Sequence, residues 1–323
     1  MIISTEKTTV SKTQFLQETL EGLNARPKRM SSKYFYDETG DRIFQQIMNM
    51  EEYYLTNAEM EIMKHQADAI VKTISGDGNA FDLIELGAGD ATKSIHLLKT
   101  LIDKNLNFKY FPIDISEHVI SDLEMNLPQK LPALNFQGLN GDYFDMLKKA
   151  AAISDRKKVV LFMGANIGNM NTDEAKEFCT SLKQILSPDD ILIVGFDLKK
   201  NPQQILNAYN DKAGITRAFN LNLLNRINRE LDGNFDLNTF EHYASYDPET
   251  GACKSYLISL KNQTVEIGNS TIHFSNGEYI YMEISQKYSL TEIDELARFT
   301  GFKVVQYFSD QQKYFVDAVW KVA

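Results

Sequence analysis

The chain has 323 residues, enough for about two domains of ordinary size, and its 43% hydrophobic and 24% charged content excludes wholesale disorder. With 34 basic against 44 acidic residues the net charge is -10, which repels phosphate backbones and anionic headgroups, so neither nucleic acid nor a membrane is an expected partner. Two distant cysteines, Cys179 and Cys253, exclude a disulfide framework, and none of the five histidines falls into HExxH or HxH spacing, so no metal is expected.

In chain order, residues 1–10 are polar after two isoleucines and lack the apolar core of a secretory leader; with reduced thiols this points to a cytoplasmic protein, expected to be a monomer. Residues 13–23 carry Phe15, Leu16, Leu20 and Leu23 at helical spacing. The basic cluster Arg26, Lys28 and Arg29 around Pro27 reads as a solvated approach to a helix or turn. Gly40 opens a second helical run with Ile43, Phe44, Ile47 and Met48 on one face. Thr56 and Glu59 have the spacing of a capping box for a helix reaching Ile70, and Gly76-Asp77-Gly78-Asn79 breaks that helix.

From Phe81 onward, short β-type runs at 81–86, 108–113, 134–138, 158–163 and 190–196 alternate with helices, among them 91–102 with Ile95, Leu98 and Ile102 inward and 173–186. This is the pattern of a doubly wound α/β core. After Asp197 the rhythm changes. Helices at 202–210 and 219–231 precede antiparallel strands at 243–246, 254–260, 264–267, 271–274 and 279–288, and a helix at 291–300 with strands at 303–308 and 314–321 closes the chain.

The run Glu85-Leu86-Gly87-Ala88-Gly89-Asp90 joins a strand to a helix start through a glycine turn. Glycines let backbone approach a ligand without a Cβ, and a helix N-terminus favours negative groups. A tight connection with no ligand would look the same. Asp114, ending the second strand, offers a carboxylate where a ribose diol would lie, and Asp142-Tyr143 after the third offers an acid and a ring for an adenine, although a Gly-Asp pair is also an ordinary turn. A dinucleotide site would carry G-x-G-x-x-G, but Thr92 stands at the third glycine position. S-adenosylmethionine has no phosphate to hold and suits the two acids better, leaving a nicotinamide oxidoreductase as the weaker alternative.

The chain resembles the histidine-specific N-alpha-methyltransferases, the family that makes hercynine on the way to ergothioneine. The likeness runs through Lys33-Tyr34-Phe35-Tyr36-Asp37, Glu52-Tyr53-Tyr54-Leu55-Thr56, Glu85-Leu86-Gly87-Ala88-Gly89, Gly164-Ala165-Asn166-Ile167-Gly168-Asn169, Gly195-Phe196-Asp197, Ala208-Tyr209-Asn210-Asp211, Phe240-Glu241-His242 and Glu283-Ile284-Ser285. The resemblance implies a Rossmann-like class I methyltransferase sheet with a second, α+β substrate-binding domain. It assigns 60–196 plus 286–323 to the first and 1–59 plus 197–285 to the second. It implies S-adenosyl-L-methionine contacts at Gly87, Lys93, Asp114, Asp142 and Tyr143, and an amino-acid pocket at Tyr36, Tyr53, Gly164, Asn169, Tyr209, Glu283 and Ser285.

Methyl transfer to an amine needs a neutral nitrogen and in-line alignment, and positioning supplies much of the rate. Asn169, with a carbonyl and an amide, suits both an amine and a carboxylate, and under the resemblance Tyr36 or Tyr53 would orient the amine, directly or through water, and Tyr209 would donate to the carboxylate. Glu283 and Ser285 share one face of a strand, opposite Ile280, Met282 and Ile284. Periodicity alone makes that a solvated face; under the resemblance, Glu283 accepts an imidazole N–H and Ser285 satisfies the other ring nitrogen. One departure stands out: Ser255 falls where the family's histidine-specific members carry a methionine. Another amino acid or an indole derivative as acceptor, or a non-catalytic amino-acid-binding relative, are the alternatives.

Overall fold

The computed structural model describes residues 12–76 and 78–323, so the reading of residues 1–10 lies outside the described residues, as does Asp77 within the 76–79 break. The chain forms two compact units. One is the described part of Met1–Tyr54 with Lys200–Ser285, the other Leu55–Lys199 with Gln286–Ala323.

The larger unit is built on a seven-stranded sheet. Its strands are β1 (Phe81–Leu86), β2 (Phe108–Asp114), β3 (Leu139–Asn140), β4 (Lys157–Phe162), β5 (Ile191–Asp197), β6 (Phe302–Ser309) and β7 (Phe315–Val322). They lie side by side as β3-β2-β1-β4-β5-β7-β6. The first five run parallel, whereas β7 is antiparallel to both β5 and β6. Every residue of β1 and β5 is buried, as expected of apolar strands covered by helices on both faces. Register places Leu86 beside Ile113, so β1 and β2 end at one level of the sheet's carboxyl edge.

Three local expectations change. Residues 134–138 do run beside β2, through Tyr110 N to Asn135 O and Gln137 N to Tyr110 O, but the regular ladder forms only at Leu139 and Asn140. The helix after the glycine turn begins at Ser94 and buries Leu97, Leu98 and Leu101, with Ile95 and Ile102 flanking that stripe. Thr56 caps nothing: the helix spans Tyr54–Ser75, its start two residues ahead of Thr56, and Glu59 turns into the interior instead.

The smaller unit packs the helices Lys12–Asn24, Glu38–Asn49, Pro202–Tyr209 and Ile215–Glu230 with a four-stranded sheet and a hairpin of Gln263–Ile267 and Ser270–Phe274. Phe15, Leu23, Phe35, Phe219, Phe240 and Met282 are among its core. The basic cluster is not a solvated approach. Lys28 and Arg29 form an edge strand paired in parallel with Ile280 and Tyr281, and the Lys28 ammonium meets Leu23 O at 2.8 Å and Glu278 at 3.4 Å. Among the described residues no helix is long and apolar enough to cross a membrane.

Where the chain leaves the large sheet after β5 and returns after Tyr279–Gln286, two fully buried groups meet: Lys287 Nζ lies 2.6 Å from Asp197 Oδ2. Leu198 and Tyr288 form a parallel bridge beside them. Removing one member of a buried pair strands the other charge, at a cost of about 3–5 kcal/mol. Lys287→Ala is therefore expected to lower the urea midpoint reported by Trp320, the single tryptophan, which is buried in the same unit. An unchanged midpoint would contradict this account of the junction.

Candidate active site

The turn after β1 exists because the backbone must reverse where no side chain fits. Gly87 and Gly89 take left-handed φ values of 72° and 52°, a region L side chains avoid. The amides of Gly87 and Ala88 donate to Ile113 O at 2.8 and 3.1 Å, tying the turn to β2. A Cβ at Gly87 would lie 2.7 Å from Tyr143 Oη, whereas one at Gly89 would meet nothing within 4 Å. The turn is closed on its Tyr143 side and open above Gly89, a cradle of the kind a ligand backbone contact requires.

Asp114 completes that cradle. Its Oδ2 accepts the Gly89 N–H at 3.2 Å and its Oδ1 the Ser116 N–H at 2.9 Å. Burial pushes its carboxyl up, with the backbone donors pulling the other way. Each oxygen keeps lone pairs for hydroxyl donors. Tyr143, edge-on to Phe162 at 6.1 Å, has its phenol pushed up to about 12 by burial and by the neighbouring Asp114 and Asp142 charges, so it stays protonated near neutrality. Asp142 is the N-cap of the helix Tyr143–Ala151, with Oδ1 accepting from Phe144 N at 2.9 Å and Asp145 N at 3.4 Å.

A second loop follows β4. Gly164 and Ala165 are both left-handed and lead into the 3₁₀ turn Asn166–Asn169, with Asn169 exposed at its end. Glu59 Oε1 accepts the Gly164 N–H at 2.7 Å, and the same carboxylate is ion-paired with Lys93. Lys93 Nζ stands 3.6 Å from where a Gly164 Cβ would be. The Asn166 amide nitrogen lies 3.5 and 3.6 Å from the corresponding positions on Gly87 and Gly164. Gly87, Lys93, Asp114, Tyr143 and Gly164 thus form one constellation in the larger unit. Glu59 and Asn166 belong to it and were not anticipated as site residues. A signal for Glu59 was present: it is a carboxylate on an otherwise apolar helix stripe of Leu55, Ala58, Ile62 and Met63.

In the smaller unit, Tyr209 Oη and Ser285 Oγ are 2.6 Å apart and buried, with Tyr53 edge-on to Tyr209 at 6.1 Å. Tyr209 packs with Ile205, Ala208, Ala244 and Cys253. Glu283 lies half-buried two residues before Ser285, while Ile280 and Met282 join the core, as the alternation requires. Ser255, 1% exposed, sits opposite Ala244 in the ladder. Tyr36 is 46% exposed and packs edge-on against Phe44 and Phe219 at 5.6 and 5.9 Å. Among the described residues no group of His, Cys, Asp or Glu could hold a metal.

A parallel sheet with its seventh strand inserted antiparallel between the fifth and sixth, and with a glycine turn and an acid at successive strand tips, defines a class I S-adenosylmethionine-dependent methyltransferase. More narrowly, the chain belongs to the family of histidine-specific, S-adenosylmethionine-dependent methyltransferases, whose pattern matches residues 15–322. It is 32% identical over 269 residues to the histidine N-alpha-methyltransferase of Mycolicibacterium smegmatis, covering 83% of this chain and 82% of that one. The corresponding protein of Mycobacterium tuberculosis is 28% identical over 297 residues, 91% of each chain. An L-tryptophan methyltransferase of Psilocybe serbica is also 28% identical, over 307 residues, covering 87% of this chain and 86% of that one.

The open cradle at Gly89 and the lone pairs of Asp114 suit a nucleoside bearing a free ribose diol. Gly87→Ala would combine left-handed strain, worth about 1–3 kcal/mol, with displacement of Tyr143. The dissociation constant of S-adenosylmethionine measured by calorimetry is expected to rise roughly tenfold or more. An unchanged constant would show that the turn is not where the cofactor lies.

Proposed function

We propose that this chain methylates the α-amino nitrogen of free L-histidine, and that repeated turnover yields the trimethylated betaine, hercynine. The observation that carries the substrate reading is the buried Tyr209–Ser285 hydroxyl pair with Glu283 two residues away on the same strand, in a chain of the histidine-specific family. A hydroxyl both donates and accepts. If Tyr209 donates to Ser285, the Ser285 proton is directed to the bare nitrogen of a neutral imidazole. Glu283 then accepts from the other ring nitrogen of an imidazole.

In this reading Asp114 holds the ribose hydroxyls, Asp142 and Tyr143 meet the adenine, the Gly87 turn gives the backbone close approach, and Lys93 meets the carboxylate of the bound cofactor. S-adenosylmethionine supplies an electrophilic methyl: the N–C bond forms as the S–C bond breaks, a neutral thioether leaves, and the amine gives up a proton to water. The chain's own work is orientation. Gly164 and Asn169 meet the amino-acid backbone, and Tyr36 and Tyr53 steer the amine lone pair, directly or through water. Cys179 and Cys253 are both buried and form no disulfide, which suits a reducing compartment, and we place the enzyme in the cytoplasm.

Ser255 favours one rival acceptor class. A small polar side chain, where histidine-specific members carry methionine, leaves room for a larger ring such as an indole. Mass spectrometry of the protein incubated with S-adenosylmethionine and each amino acid decides between them. Histidine should gain one, two and three methyl masses, and no gain on histidine removes the substrate claim. Glu283→Ala should lower kcat/KM for histidine by about ten- to a hundredfold, the worth of a hydrogen bond to a charged group. Unchanged use of histidine would favour the rival.

The Asp114 reading carries a pH dependence. An ionised carboxylate accepts the diol, and burial raises the pH at which this one protonates. Cofactor affinity should therefore be full above that raised pKa and fall as pH drops through it, at a higher pH than an ordinary aspartate would give. Asp114→Asn should weaken binding and remove the acid limb. A parent protein with no acid limb would contradict the role.

A further inference from the structure

Glu59 has no exposed surface, and a buried carboxylate is tolerated only when its lone pairs are filled. Its oxygens go to two places: the Lys93 ammonium and the Gly164 N–H. Gly195 on β5 makes the room, since a Cβ there would lie 2.6 Å from Glu59 Oε1 and 3.0 Å from Phe315 Cζ. One side chain from the helix Tyr54–Ser75 thus ties the start of the helix after the glycine turn to the loop after β4.

We propose that Glu59 is a positioning residue for methyl transfer, holding Lys93 and the Gly164 amide on its two oxygens so that the ammonium is fixed where the cofactor's carboxylate arrives. This rests on the cofactor reading given above. The Lys93 side chain is 28% exposed and that of Glu59 0%, so the lysine is only partly covered while the carboxylate beside its ammonium is fully enclosed. An ammonium has three donors, and pairing with Glu59 leaves others for a ligand.

The acids facing Lys93 are Glu59 from that helix, Glu85 from β1 and Asp317 from β7. Asp317 is fully buried with neither oxygen hydrogen-bonded, and burial, then the Glu59 charge, pushes its carboxyl well above the ordinary range. Burial likewise pushes Glu85 up to about 7. Of these three acids, Glu59 is the one ion-paired with Lys93.

Glu59→Gln keeps an oxygen for Gly164 and removes only the charge, so it isolates the Lys93 link. Calorimetry with S-adenosylhomocysteine across pH, with thermal unfolding to verify folding, reads the effect. Affinity should fall roughly tenfold in Glu59→Gln, and the loss should vanish when Lys93→Met is already present, as expected for residues acting through one another. Burial alone lowers the Lys93 pKa and Glu59 opposes it, so the variant should also lose affinity at a lower alkaline pH than the parent. An affinity within about twofold of the parent with an unmoved pH profile, or losses that add in the Lys93→Met background, would overturn the proposal. If Glu59→Gln does not fold, Gly195→Ala, which pushes the carboxylate aside, is read by the same affinity and pH criteria. A parent that binds no adenosyl compound would sink the cofactor reading itself, whereas a binding parent with silent variants sinks only the role of Glu59.

Discussion

A chain leaving the carboxyl edge of a buried parallel strand must reverse at once, and here the reversal is possible only because Gly87 and Gly89 accept left-handed backbone that other residues resist. The Ile113 carbonyl pins that reversal to the neighbouring strand, which brings Asp114 under Gly89 and Tyr143 against Gly87. Every candidate cofactor contact in the larger unit is indexed to this turn. A slip of one residue between β1 and β2 would turn the Asp114 side chain to the other face of the sheet.

Buried charge marks both edges of the same sheet, with different consequences. At the amino edge, Lys158 reaches Asp82 Oδ2 at 3.0 Å and the carbonyls of Ser154 and Arg156 at 2.6 and 2.7 Å, which saturates the ammonium among protein groups. At the carboxyl edge, Lys93 is paired with the enclosed Glu59 carboxylate and its side chain is only partly covered. A saturated pair can only stabilise or specify the fold. A half-open one can also receive an anion, and ligands of open α/β sheets bind at that edge.

Much of this was legible in the sequence where a single local rule governs. The strands β1, β2, β4 and β5 are buried on both faces, so continuous apolar runs locate them to within about one residue. The turn was legible because no structure but a reversal suits Gly-Ala-Gly between such a strand and a helix. Where tertiary partners decide, local rules fail. Thr56 and Glu59 have capping-box spacing, yet the Lys93 ammonium claims the carboxylate from a distant position in the chain. Lys28 and Arg29 look solvated until Tyr279–Gln286 supplies a strand to pair with. Asp142 fills its ordinary helix-capping role, and the pairing of Tyr209 with Ser285 crosses too much sequence for any periodicity to announce it.

The central claim is that the edge around Gly89 and Asp114 receives an adenosyl group and that Lys93 meets its carboxylate. A crystal structure of the protein with S-adenosylhomocysteine tests it most directly. The account predicts both ribose hydroxyls within hydrogen-bond distance of the Asp114 carboxylate, the adenine beside Tyr143, and the amino-acid carboxylate on Lys93. A nucleoside seated elsewhere, with the Asp114 carboxylate still bonded to backbone amides alone, would contradict it.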